Sequence, residues 1–234
     1  RMAVEMTDPI ITEIRAAAEN NRIAVSFGFV EKENNTLYSS QLTVGQNGDI
    51  LNLFRRVSKG WKEPFADEHY AEGTEFTKFS CHGKTVAVGL CGDLWDDTNA
   101  SKVKALDAEL VLWPVYTDFA AKEWNERIKY EYARQSLKAG SKVLLVNSVC
   151  LNGDEEELAS GGAVFFENGK IGIFTLDNKV SYYDSTTLEL LEKGVALGSN
   201  SIDASYNEFI EEYAVVDKSF NLKFYNKDKN TIID

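Results

Sequence analysis

The sequence predicts an α/β domain, in which strands buried on both faces alternate with amphipathic helices. Apolar residues recur at helical spacing at Ile10, Ile11, Ile14, Ala17 and Ala18. Unbroken apolar runs of strand length appear in TVAVGL, ELVLWPV and KVLLV, as in strands covered on both sides. Turn-forming residues punctuate the intervals, among them Gln46-Asn47-Gly48 and His82-Gly83. A chain of 234 residues, 44% hydrophobic and 26% charged, can bury a full core, and no Pro/Gly/Ser-rich linker divides it.

In chain order, the first element is a helix from about Asp8 to Asn20, with Thr7 or Asp8 as its cap. Strands are expected over Arg22 to Val30, then TLYSSQLTV, then ILNLFRRVS beyond the glycine turn. Two more follow near Phe76 to Phe79 and Thr85 to Leu90. A short helix around Ser101 to Leu106 leads into AELVLWPV, a strand stopped by Pro114. From Ala121 to Ala139, Trp124, Ile128 and Tyr132 stand four apart among charged residues, so a helix should pack one side on a sheet until Gly140 ends it. SKVLLVNSV is the next strand, and GGAVFFENGKIGIFTL reads as two strands joined at Asn168-Gly169. Past Ser185 the sequence is mixed and acidic, with short helices expected near Leu188 to Lys193 and Tyr206 to Tyr213. The expected organisation is a domain over residues 1–185 and an extension over 186–234, packing on that domain or on a partner subunit.

The formal net charge of -12 opposes binding to a polyanion, because phosphate backbones are held mainly by Lys and Arg. Nucleic acid is therefore not an expected partner. No run approaches the roughly 20 apolar residues needed to cross a bilayer, and Arg1 opens no secretory signal, so the expectation is a cytoplasmic protein without a membrane partner. The three cysteines, Cys81, Cys91 and Cys150, are an odd number and read as thiols.

Cys91 stands where the TVAVGL run ends, followed by Gly92, which is where open α/β sheets place ligands. A thiolate there can attack a carbonyl or nitrile carbon if a base or cation helps it form and an oxyanion site holds the developing charge. The competing reading is that a free cysteine fills space, and Cys81 and Cys150 are read that way. His69 and His82 fall in an acidic loop and a surface turn, and two histidines exclude a three-His metal site. Asp93, Asp96 and Asp97 form an acidic group that could hold Mg²⁺ for phosphoryl transfer, whereas Asp154 to Glu157 reads as a solvated turn. The stretch FRRVSKGWKEPFADEHYAEG sets Arg55, Arg56, Lys59 and Lys62 against Glu63, Asp67, Glu68 and Glu72. A working version would put one cation beside the thiol and one carboxylate behind that cation.

Together these residues resemble the carbon-nitrogen hydrolase family, also called the nitrilase superfamily. GLCGDLW resembles its Cys-X-Asp signature, NGDILNLFRR its turn, strand and cation block, and Glu68, Tyr70 and Gly73 its E-x-x-Y-x-x-G segment. ELVLWP, Tyr132-Ala133-Arg134, LLVNSV and GGAVFF follow in the family's order up to about Thr175. The resemblance implies a four-layer αββα sandwich, no cofactor and no metal, and a Glu-Lys-Cys triad that hydrolyses a small amide or nitrile through a thioester. It implies Cys91 as nucleophile, Arg56 in the place of the catalytic Lys with Lys62 as the alternative donor, and Glu68 in support. It also implies a homodimer or higher homo-oligomer. The family's first strands and its general-base Glu would precede the helix at Asp8, so the expectation is a chain lacking that segment, and Ala163 stands where the family has Ser. A catalytically inactive binding or assembly protein is the alternative reading.

Overall fold

The structure, a computed structural model, describes residues 3–62, 66–149, 159 and 161–167, together with the backbone strands between 170 and 233 given below. It divides into two compact units, residues 1–168 and 169–234.

In the first unit the chain opens with a short strand β1 (Ala3–Val4) and the helix α1 (Pro9–Asn21). Asp8 caps α1 by accepting the Ile10 N–H at 3.1 Å, with Pro at the first helical position, where a missing donor costs nothing. Arg22 takes the left-handed conformation (φ 51) and its N–H returns to the carbonyls of Ala18 and Glu19, so the next strand starts three residues later than the apolar run suggests. Strands β2 (Val25–Glu33), β3 (Thr36–Val44) and β4 (Ile50–Arg55) then form an antiparallel meander, with β1 parallel to β2 at its edge. The side-chain period of two divides β3 and β4 between two faces. Leu42 and Val44 pack on Ile11 and Ala18 of α1, whereas Phe54 of β4 joins a different cluster with Val88 and Leu90.

A second sheet in the same unit runs β9-β8-β7-β6-β5. Its members are β5 (Lys78–Cys81), β6 (Lys84–Val88), β7 (Leu110–Val115), β8 (Lys142–Asn147) and β9 (Ala163–Glu167). Strands β6, β7 and β8 are parallel and the outer two antiparallel. The two-residue loop between β5 and β6 has positive φ at both His82 (48°) and Gly83 (75°), the twist that matches a tight hairpin. The strand β7 does not stop at Pro114 but runs through it. Its pairing with β6 ends at Leu112, whose carbonyl accepts the Gly89 N–H, so the imino nitrogen of Pro114 faces a flank where the ladder has already ended.

Helix α2 (Asp97–Ala105) and the helical stretch from Ala121 cover the far face of this sheet, giving the layer order helix, sheet, sheet, helix. That stretch is not uniform. A first turn α3 (Ala121–Glu123) passes through a π-helical segment (Trp124–Ile128) into α4 (Lys129–Ala139). Trp95, Trp113, Trp124 and Tyr132 meet there, Tyr132 lying 4.8 to 5.3 Å from the other three ring centroids. Burial pushes the Tyr132 phenol up to about 12, and the nearby Cys91 adds to the effect.

The second unit contains an antiparallel set β10 (Lys170–Thr175), β11 (Lys179–Asp184) and β12 (Leu190–Ala196). A separate antiparallel sheet comprises β13 (Ser201–Asn207), β14 (Glu212–Asp217), β15 (Leu222–Asn226) and β16 (Ile232–Ile233). Where the segments expected as helices near Leu188 to Lys193 and Tyr206 to Tyr213 are described, at Leu190 to Lys193, Tyr206, Asn207, Glu212 and Tyr213, they are strand instead. SIDASYN and EYAVVD, which meet the second of these segments, carry β-branched and aromatic residues whose preference for a pleated surface outweighs the short helical spacing. The Asn168-Gly169 turn, Cys150 and the acidic run Asp154 to Glu157 lie outside the described residues.

Candidate active site

Beyond β6 the chain turns sharply, and Cys91 takes φ +45, a left-handed conformation that is uncommon for a residue with a side chain. A single 3-10 turn (Cys91–Trp95) follows. Two side chains hold this elbow. The indole Nε1 of Trp113, itself fully buried on β7, donates to the Cys91 carbonyl at 2.9 Å. Asp93, also fully buried, accepts the Leu90 N–H on Oδ2 at 2.9 Å.

The other carboxylate oxygen of Asp93 reaches across to the first sheet. Its Oδ1 accepts the N–H groups of Val57 at 3.0 Å and Ser58 at 2.6 Å. One buried side chain therefore staples the loop that follows β4 to the cysteine elbow. Burial raises the Asp93 pKa, against the pull of the Ser58 and Leu90 N–H groups.

The two arginines at the end of β4 separate by strand alternation. Arg55 turns to the α1 side, where its Nε donates to the buried Glu31 at 2.8 Å and a second guanidinium nitrogen pairs with the same carboxylate, while Ser40 donates to Glu31 at 2.6 Å. Glu31 holds Arg55 well above its ordinary range. Arg56 turns the other way. Its backbone is pinned on both sides, by an N–H to Ser39 at 2.9 Å and a carbonyl accepting Gly73 N–H at 2.7 Å. A side chain at Gly73 would put its Cβ 2.2 Å from the Arg55 carbonyl, so only glycine allows this approach. The Arg56 guanidinium donates from Nε to Ser58 Oγ at 2.8 Å and from Nη2 to the Lys59 carbonyl at 3.2 Å, and it lies against Gly92.

Cys91 and Arg56 thus share a wall of a cleft of about 860 Å³ between the two sheets. Phe29, Trp61, Leu112, Pro114, Tyr116 and Asn147 are among its other lining residues. Lys62 is not among them. It donates to the Tyr70 carbonyl at 2.8 Å and pairs with Glu72 at 3.4 Å. Glu68 is exposed and also absent from the lining, so the carboxylate beside Lys62 is Glu72.

The acidic group that could have held Mg²⁺ is dispersed into three separate structural tasks. Asp93 is taken by backbone donors, Asp96 caps α2 through Asn99 N–H at 2.9 Å, and Asp97 pairs with Lys138 at 2.7 Å. No cluster of three potential metal ligands occurs among the described residues. His69 is exposed and bonded to Asp67 at 3.0 Å, and Cys81 ends β5 with its thiol pKa raised by burial. The roles of Trp113 and Ser58 were not legible in the sequence, where an apolar-run tryptophan and a loop serine carry no distinguishing signal. Replacing Trp113 by Phe removes the donor to Cys91 and, at this fully buried position, leaves a cavity where the second indole ring stood. The expected cost is about 2–4 kcal/mol of stability, measured by urea unfolding, with slower alkylation of Cys91. An unchanged alkylation rate would show that the elbow stands without this bond.

The family model for carbon-nitrogen hydrolase matches residues 1–183. The chain belongs to that family. It is 32% identical over 123 residues to a cyanide hydratase from Gibberella baccata, a match covering 49% of this chain and 32% of that protein. The chain thus spans about a third of that relative's length. A carbon-nitrogen hydrolase from Helicobacter pylori has the same fold, with a TM-score of 0.59 at 15% identity over 79% of this chain and 65% of the other. So does a variant of the amidase from Nesterenkonia, with a TM-score of 0.56 at 16% identity over 70% and 62%. That amidase was captured with the acetamide moiety of fluoroacetamide added covalently at its active-site cysteine. Among the described residues no helix is long and apolar enough to cross a membrane.

Proposed function

We propose that this chain carries the nucleophile and oxyanion site of a hydrolase acting on a non-peptide carbon-nitrogen bond in a small amide or nitrile. The observation that carries the reading is the left-handed Cys91 elbow, facing the cleft beside the Arg56 guanidinium. The Cys91 thiolate attacks the amide carbon, and the C=O π electrons move to oxygen, where Arg56 donates hydrogen bonds to the oxyanion. The tetrahedral intermediate collapses, the C–N bond breaks, and the amine leaves with an added proton. Water then attacks the thioester, releasing the acid and returning the thiolate. In a nitrile the attack sends the C≡N π electrons to nitrogen, which takes a proton to give a thioimidate; water adds to its carbon, ammonia leaves, and a second water hydrolyses the resulting thioester. Arg56 is preferred to Lys62 as donor because Lys62 is engaged by Tyr70 and Glu72 away from the cleft lining. Glu68, exposed in this loop, is given no part in the chemistry.

The adduct at the cysteine of the Nesterenkonia amidase supports a covalent route. The direct test is competition labelling of the full chain with iodoacetamide, followed by peptide mapping. Cys91 is expected to be alkylated first, and preference for Cys81 or Cys150 would sink the assignment.

A second reading has a specific observation in its favour. Among the described residues no carboxylate or imidazole lines the cleft, so none there is placed to take the thiol proton. On that reading the chain is a family member that binds or assembles without hydrolysis. Ammonia release from any member of a broad amide and nitrile panel would exclude it. A cytoplasmic location and a homodimer accompany the first reading, the latter checked by size exclusion with light scattering.

A further inference from the structure

Gly92 is the residue after the proposed nucleophile, and its lack of a side chain has no backbone explanation. The elbow's positive φ belongs to Cys91, and Gly92 itself is not in the left-handed region. Space is what the glycine provides. A Cβ built on Gly92 would stand 2.4 Å from Arg56 Nη2, 3.4 Å from its Cζ and 3.1 Å from Ser58 Oγ, the first far inside any van der Waals contact. Flexible side-chain ends usually yield to such a clash, but this one is fixed at several points. The guanidinium is tied to Ser58 and Lys59, the Arg56 backbone to Ser39 and Gly73, and the Val57 and Ser58 N–H groups to buried Asp93.

We infer that Gly92 is a positioning residue whose missing side chain makes the seat for the Arg56 guanidinium beside Cys91. The inference rests on the proposed role of Arg56 and adds a requirement to it. The cation and the residue after the nucleophile form one matched pair, so the site is built for a planar guanidinium. Arg56→Lys is then no repair, because the ammonium is smaller, lacks the Nε donor to Ser58 and leaves the Gly92 seat part empty.

The pair is tested by a double-mutant cycle in the full chain using Gly92→Ala, Arg56→Lys and both together. The readouts are the rate of Cys91 alkylation by iodoacetamide and the thermal midpoint. With Arg56 present, Gly92→Ala is expected to push the guanidinium off its seat into the cleft at Cys91, where its bulk slows alkylation at least tenfold, and to lower the midpoint. In the Arg56→Lys background, the same Ala is expected to change the alkylation rate by less than twofold, because the shorter head leaves room for a methyl group. Folding of the double variant where Gly92→Ala alone does not fold would equally support the pairing. Additive effects, no effect of Gly92→Ala in the wild-type background, or failure of both Ala variants to fold would overturn it. The two layers separate cleanly. Preferred labelling of another cysteine defeats the functional reading while the midpoints still report the steric coupling. Preferred labelling of Cys91 with additive midpoints and rates defeats this inference alone.

Discussion

Replacing Asp93 by Ala is expected to destabilise the first unit by roughly 3–5 kcal/mol, the largest effect of any single polar substitution in this site. The magnitude follows from what the carboxylate does. It accepts three backbone N–H groups, from Leu90 in the elbow and from Val57 and Ser58 across the cleft. With an apolar side chain those donors lose their partner, and each buried orphan donor costs about 1–3 kcal/mol, less whatever water recovers. Asp93→Asn keeps the shape and one oxygen acceptor, so its cost should be smaller, about 1–3 kcal/mol, because the amide nitrogen cannot accept. Urea unfolding measures both. The substitution should also slow Cys91 alkylation, since the elbow and the Arg56 loop lose their common anchor. An Asp93→Ala variant within about 1 kcal/mol of the parent would mean that the loop and elbow hold their positions independently.

The same residue marks the limit of what the sequence revealed. An Asp two positions after a strand-end cysteine is visible, and so are its neighbours Asp96 and Asp97, but spacing alone groups them as metal ligands. In the fold one faces inward, one caps a helix and one meets Lys138 on the surface. Strand β3 and helix α1 were readable almost to the residue, because a run bounded by a glycine turn and a capped apolar stripe are local signals and tertiary packing agrees with them. Pro114 misled, since a proline's tolerance depends on whether the neighbouring ladder still runs beside it. The strands in LLEKGVA and EYAVVD were read in part as helix because a few apolar residues fit both periods at that length. At the site, the position of Cys91 was legible from the end of a buried run. That Arg56 lines the cleft and Lys62 does not was not legible, because it turns on strand alternation at Arg55 and Arg56 and on the Glu72 partner of Lys62.

Cys91→Ala is expected to lower kcat on any accepted amide or nitrile by at least about 10³-fold, because the covalent route loses its nucleophile. Arg56→Ala should cost about 10²–10³-fold, the usual effect of removing one oxyanion donor, and should act on kcat more than on KM if the bonds form chiefly in the transition state. The two losses should not multiply. Once the thiol is gone there is no thioester-forming oxyanion for Arg56 to stabilise, so the double variant should fall close to Cys91→Ala alone. Steady-state ammonia release from the full chain measures all three. Multiplicative losses would mean that Arg56 serves a step independent of Cys91, such as holding an anionic substrate group in the cleft. An unaltered rate for Cys91→Ala would remove covalent catalysis altogether. The reverse pairing is equally informative. If Arg56→Ala slows turnover yet leaves the Cys91 alkylation rate unchanged, the guanidinium acts on the oxyanion and not on the thiolate. The Arg56 seat against Gly92, one residue along from Cys91, makes both effects geometrically available, and this comparison assigns the weight between them.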